Sequence, residues 1–142
     1  INKNLGSSSL LKSNLDGIKA WGNEVLNTVA IENVECITID SFCIKQDIKS
    51  IDLLKLDIQG SEYKALIGAK KLLKSKSIKI IYCEIPIFKS YENQGEFHEI
   101  LSLLNQYNYT LFNIYKSISH NGQLMELDAM FILSDFLKKT NL

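Results

Sequence analysis

Apolar positions fall in short blocks separated by polar turns, and their period changes from block to block. The densest block is residues 51–58, IDLLKLDI, an almost continuous run of Ile and Leu. Such a run suits a strand buried on both faces, as in a parallel sheet. A polar cluster follows: Asp57, Gln59, Gly60, Ser61 and Glu62. Tyr63, Leu66, Ile67, Ala69, Leu72 and Leu73 then recur at helical spacing. Ser61 is placed to cap that helix, and Glu62 suits its positive first turn. Residues 79–85, KIIYCEI, read as a second buried strand, closed by Pro86, the only proline. Residues 89–95 form a polar loop. Residues 96–107 predict an amphipathic helix with Phe97, Ile100, Leu101, Leu104 and Tyr107 inward. Residues 109–115 and 127–134 are rich in aromatic and apolar side chains and predict two strands. The polar stretch 116–126 between them has Gly122 as its turn residue. No helix fits there, so the two strands pair antiparallel as a hairpin.

The N-terminal quarter is less regular. Residues 1–23 are rich in Asn, Ser, Gly and Lys and read as an irregular, solvated arm. Residues 25–39 hold Val29, Ile31, Val34, Cys36, Ile37 and Ile39, which predict one bent strand or two short ones with a kink near Glu32 and Asn33. Asp40 and Ser41 offer a cap for a short helix running to Gln46. From residue 51 on, the order is strand, helix, strand, helix, strand, strand. That is the α/β layered class with one reversed edge strand. The expected organisation is a single α/β domain, with an arm over 1–24, sheet and helices over 25–134, and a tail over 135–142.

Composition narrows this picture. A chain of 142 residues can bury a real core. A formal net charge of +0 provides no overall field to recruit nucleic acid or an acidic membrane. No apolar run reaches the ~18–20 residues of a membrane span, and no signal peptide is visible. Cys36, Cys43 and Cys83 lie in apolar surroundings without a CxxC pair, so reduced, buried thiols in a cytoplasmic protein are expected. The chain opens at Ile1 in a polar stretch, which reads as a domain cut from a longer protein.

Several phrases occur in a fixed order: ITIDSF over 37–42, IDLLKLDIQGSEYKALIGAKKLL over 51–73, IIYCEI over 80–85 and YENQGEFHEILSLL over 91–104. Together they resemble the C-terminal half of an FkbM-family methyltransferase. The most specific piece is LLKLDIQGSEYKALIGA. The resemblance implies the Rossmann-like class I methyltransferase fold, S-adenosylmethionine as cofactor, and methylation of hydroxyl groups on sugars or polyketides. It also implies a glycine-rich cofactor loop after the first strand and an acidic residue on the second. Neither precedes Ile37, and none of the seven glycines forms a GxGxxG loop. By this resemblance the chain keeps strands four to seven and lacks one to three. The main cofactor loop would be missing and the fragment alone inactive.

Methyl transfer to oxygen needs an acceptor held in line and a group to take its proton. A carboxylate can do the second and also favours a nearby positive sulfur. Asp57 is the leading candidate, at the strand's carboxyl end where open α/β sheets place ligands. Gly60 lets a ligand approach. Glu62 and Glu84 complete the candidate catalytic set, with Asp57 and Ile58 on the cofactor side. Glu84 ends the neighbouring strand, ~5 Å away, so the two carboxylates could share one rim. Two carboxylates without a third firm ligand argue weakly for a divalent metal, and none is expected. His98 is expected to face solvent, and His120 to sit in a loop. Tyr91 and Gln94 match the family's polar loop and are placed on the acceptor side. The expected partners are a small-molecule or glycan acceptor and, through an exposed sheet edge, a second copy. That edge should be covered by residues 25–39 or by the second copy. Two other classes are open: a non-catalytic α/β remnant serving as an interaction or oligomerisation module, and a nucleotide-binding enzyme, which the missing glycine loop disfavours.

Overall fold

A computed structural model describes residues 1–140. In chain order, a single 3-10 turn over Leu5–Ser7 leads to α1 (Leu15–Trp21), α2 (Asn23–Leu26) and α3 (Ile39–Lys45). Then come β1 (Ile51–Leu56), α4 (Glu62–Ile67), α5 (Lys70–Lys74), β2 (Ile78–Pro86), α6 (Phe97–Gln106), β3 (Tyr109–His120), β4 (Gln123–Leu133) and α7 (Ser134–Thr140). The four strands form one mixed sheet in the order β1-β2-β4-β3. β1 and β2 are parallel, with Leu54 opposite Ile81. β4 runs antiparallel to both β2 and β3. The fold is α/β, with the expected parallel pair and C-terminal hairpin.

One face of the sheet carries the core. Leu56, Ile81, Cys83, Ile85, Leu127, Ala129 and Phe131 pack with Leu66, Leu72, Leu73, Ile100, Leu103 and Leu104 from the helices. The alternation of buried and part-buried residues along β4, from Met125 to Phe131, is the period of two that a half-covered sheet requires. On the opposite face Leu53 is 56% exposed and Lys55 is open to solvent, and at the start of the strand Asp52 is exposed as well. The expectation that β1 is buried on both faces is therefore corrected. It is an edge strand, and among the described residues no strand pairs with its outer side.

Further expectations change. Residues 25–39 are not strand. Asn23–Leu26 is helical, residues 29–38 carry no regular element, and Val29, Ile31, Val34 and Ile37 are exposed. These residues have β propensity but no ladder to join, so propensity alone does not make a strand. The segment thus does not pair with the β1 edge. The arm is not irregular either: Asn14 caps α1 by accepting from the Asp16 amide. The long helix after β1 breaks at Gly68 and Ala69, because Asp40 caps its second half, its carboxylate oxygens accepting from the amides of Lys71 and Leu72 at 2.9 and 3.1 Å. The α3 cap is then Thr38, whose hydroxyl accepts from Ser41 N–H. Finally, the hairpin strands run to a two-residue Asn121–Gly122 turn, both residues at positive φ, so the polar connection over 116–126 is strand.

Cys43 and Cys83 are buried, as expected, but Cys36 is exposed. Residues 134–140 are helical rather than a tail, and the rest of that expected tail lies outside the described residues. No helix among the described residues is long and apolar enough to cross a membrane.

Candidate active site

Beyond Leu56 the chain reverses sharply, with Gln59 at φ 54° and Gly60 at φ 91°. A Cβ on Gly60 would also lie 3.0 Å from Tyr91 Cδ2 and 3.2 Å from Gln94 Cβ, so both conformation and space call for glycine. Glu62 is 1% exposed, and its Oε1 accepts from Ile58 N–H at 2.9 Å. Burial raises its pKa, opposed by the backbone amides of Glu62, Ile58 and Gly60. Glu62 thus holds the turn together. Ser61 occupies the cap position without a capping bond, and its buried Oγ has no hydrogen-bond partner.

The turn aims the Gln59 amide at two carboxyl groups. Its Nε2 donates to Glu84 Oε2 at 2.7 Å and to Asp57 Oδ1 at 3.3 Å. Asp57 is also paired with Lys55 Nζ at 2.7 Å, and that hydrogen bond holds it below the usual carboxylate range. Glu84 moves the other way. Burial first, then the negative charges of Glu126 and Asp57, push it up to about 8. Glu126 is itself raised by burial. Two neighbouring acids are thus driven apart: Asp57 is ionised at neutral pH, while Glu84 largely keeps its proton.

The loop after β2 walls this ledge. Gln94 Oε1 accepts from the amides of Ser90 and Tyr91, both at 2.9 Å, while its Nε2 donates to Phe88 O at 3.0 Å. Tyr91 is 2% exposed, and its hydroxyl lies 2.8 Å from Ser7 O and 2.9 Å from Gln59 Oε1. Burial, then the charge of Glu84, pushes its phenol up, so it stays protonated. The arm closes over the loop. Asn14 N–H donates to Ser90 O, Trp21 Nε1–H donates to Ser90 Oγ at 2.9 Å, and Ser9 Oγ–H donates to Gln59 O at 2.6 Å. Gly17 allows this approach, since a Cβ there would meet the Ser90 carbonyl oxygen at 2.6 Å.

Two cavities result. One, of about 220 Å³, is lined by Trp21, Gln59, Glu84, Ser90, Tyr91 and Glu126. The other, of about 840 Å³, is lined by Leu10, Leu11, Ile31, Val34, Asp57 and Ile58, among others. The Gln59 amide links the carboxylate of one to that of the other.

Of the expected site residues, the structure brings Asp57 and Glu84 together and puts Ile58 beside Asp57. Glu62 is turned into the loop backbone. Tyr91 and Gln94 form the wall. His98 is exposed and lies 3.2 Å from Glu96, and His120 is the last residue of β3 rather than part of a loop. Among the described residues no group of three or more His, Cys, Asp or Glu is placed to hold a metal ion. Three contributors were missed: the bridging role of Gln59, Glu126 and Trp21. The alternation of β4, continued back from Leu127 to Met125, would have placed Glu126 on a strand; its position opposite Pro86, next to Glu84, comes from the pairing of β2 with β4. Nothing in the sequence announced Trp21, because its position depends on the arm docking.

The ledge lies at the carboxyl ends of the parallel strands, where open α/β sheets bind ligands. Residues 1–111 match the Methyltransferase FkbM domain, and the chain belongs to that family. It is 35% identical over 72 residues to the 2-O-methyltransferase NoeI of Sinorhizobium fredii (strain NBRC 101917 / NGR234). That match covers 51% of this chain and 29% of the relative, so the chain spans under a third of that protein's length. No solved structure matches.

Proposed function

We propose that the chain is part of an S-adenosylmethionine-dependent O-methyltransferase that acts on a hydroxyl group of a small molecule or glycan. Its four strands would then be strands four to seven of a Rossmann-like class I sheet. The observation that carries this reading is the Gln59 amide joining Asp57 to Glu84 across two cavities, in a chain of the FkbM family. The family generally uses S-adenosylmethionine, and the residues present suit it. The cavity beside Asp57 and Ile58 has the size and apolar lining of small-molecule sites, and Asp57 gives it an ionised carboxylate. S-adenosylmethionine carries its methyl group on a positive sulfur. Asp57 would favour that charge, and Ile58 would pack beside it.

Glu84 faces the smaller cavity, where the acceptor hydroxyl would bind. A carboxylate with a pKa of about 8 is a competent base near neutral pH. Its ionised fraction would take the proton of the acceptor hydroxyl, whose oxygen would bond to the methyl carbon as the methyl–sulfur bond breaks and leaves a neutral thioether. Trp21 and Tyr91 would hold the acceptor's body and exclude water. Glu62 keeps the turn in shape and takes no proton from substrate. The proposed partners are this acceptor and, through the open edge of β1, a second copy of the chain. Calorimetric titration of the intact protein with S-adenosylmethionine tests the reading. Saturable binding is expected, and a silent titration would overturn it.

A further inference from the structure

The contact between Tyr91 and Gln59 is not explained by packing alone. A side-chain amide has a carbonyl end and an amino end, and only the amino end can donate to carboxylates. At Gln59 the amino end faces Asp57 and Glu84, and the carbonyl end faces the Tyr91 hydroxyl at 2.9 Å. The phenol has one proton and two acceptors in reach, Gln59 Oε1 and Ser7 O. Ser7 O already accepts from Asn2 Nδ2–H at 2.7 Å. The Tyr91 proton can therefore serve Gln59 without leaving the Ser7 carbonyl unpaired. Tyr91 is fixed in turn: its ring lies against Gly60, and Gln94 pins its amide.

We infer that Tyr91 is a positioning residue for the proposed reaction, anchoring the Gln59 carbonyl so that Nε2 is presented to Asp57 and Glu84 and the two carboxyl groups are held as one unit. The inference rests on the methyltransferase reading only for its purpose; the relay itself is a property of the folded chain. The N-terminal arm meets the same residue separately, Ser9 Oγ–H donating to Gln59 O at 2.6 Å.

The readout is the titration of the Glu84 carboxyl, followed by carbon-13 NMR of the intact protein. The charged and titratable groups facing Glu84 are Lys55 on β1, Asp57 after β1, Glu62 at α4, Glu126 and Asp128 on β4, and Tyr91 on the loop. The Tyr91→Phe variant leaves every one of those carboxylates in place. Donation from Gln59 favours ionised Glu84, so loss of the anchor should raise the Glu84 midpoint by about half a unit or more, a factor of about three in its proton affinity. Gln59→Leu should raise it at least as far. The double variant should shift no further than Gln59→Leu alone, because the phenol acts only through the amide. The inference is overturned if Tyr91→Phe leaves the midpoint unmoved, or if the two shifts add. Backbone amide spectra confirm that each variant is folded; should Tyr91→Phe unfold, Gln59→Leu still decides, since an unmoved midpoint there removes the donor the relay requires. Titration of the wild type with S-adenosylmethionine separates the two questions. Silence there would sink the methyltransferase reading and leave the relay standing.

Discussion

Glu84 and Asp57 differ by one methylene group, yet the structure gives them opposite proton affinities. Lys55 holds Asp57 ionised, while burial and the charge of Glu126 keep the proton on Glu84. This has a consequence for stability. The ordinary value for Glu84 is 4.5 and the folded value about 8, so the folded chain binds this proton more tightly than the unfolded chain does. Its contribution is complete below the ordinary value and is lost as pH rises through about 8. Glu62 and Glu126, also raised, act in the same direction. Asp57, lowered, acts oppositely and only in acid. Glu84→Gln, which mimics the protonated acid, should flatten the fall in urea midpoint between about pH 5 and 8. An unchanged pH profile would mean that Glu84 does not hold its proton in the folded state. The same group sets the expected rate profile, with methyl transfer rising to a plateau through about pH 8 and Glu84→Gln lowering the rate by ~10²–10⁴-fold.

At the level of elements, the sheet was legible because its strands and helices follow simple periods. The runs at 51–58 and 79–85 and the stripe of Ile100, Leu101 and Leu104 each specify an element, and only β1 departs from its pattern in packing, because one side of it is left open. The arm was not legible, since what organises it is long-range. α1 is held by Asn14 and Trp21 against Ser90, residues that nothing in the sequence relates. The segment 25–39 misled for the converse reason: its Val and Ile residues fit a strand, but they pair with no strand of the sheet. The Asn121–Gly122 pair was a hairpin signal, and the polar residues around it masked the strands it joins. The arm's docking can be tested at Gly17. Gly17→Val would drive side-chain atoms into the Ser90 backbone, where a Cβ alone comes within 2.7 Å of Ser90 Cα. A cost of ~1–3 kcal/mol is expected, with a red shift in the emission of Trp21, the only tryptophan, as it loses Ser90. Unchanged emission would place the arm elsewhere.

For the molecule as a whole, the open side of β1 is the feature with the largest consequence. An unpaired strand offers free backbone donors and acceptors to another chain. Lys55 and Asp52 on this strand blunt such pairing, but Leu53 is exposed beside them. A polypeptide of residues 1–142 should therefore self-associate, with a mass in sedimentation equilibrium that rises with concentration. A monomer at every concentration would show that the edge is protected by other means.

The sharpest measurement of the central claim compares S-adenosylmethionine with S-adenosylhomocysteine, which lacks the methyl group and the positive charge. If Asp57 favours a charged sulfur, the intact protein should bind the charged ligand more tightly, and Asp57→Asn should erase about tenfold of that preference, or ~1.4 kcal/mol. Because the two ligands share every other contact, a general loss of folding would weaken both alike. An Asp57→Asn variant that keeps the wild-type ratio of the two affinities would contradict the account.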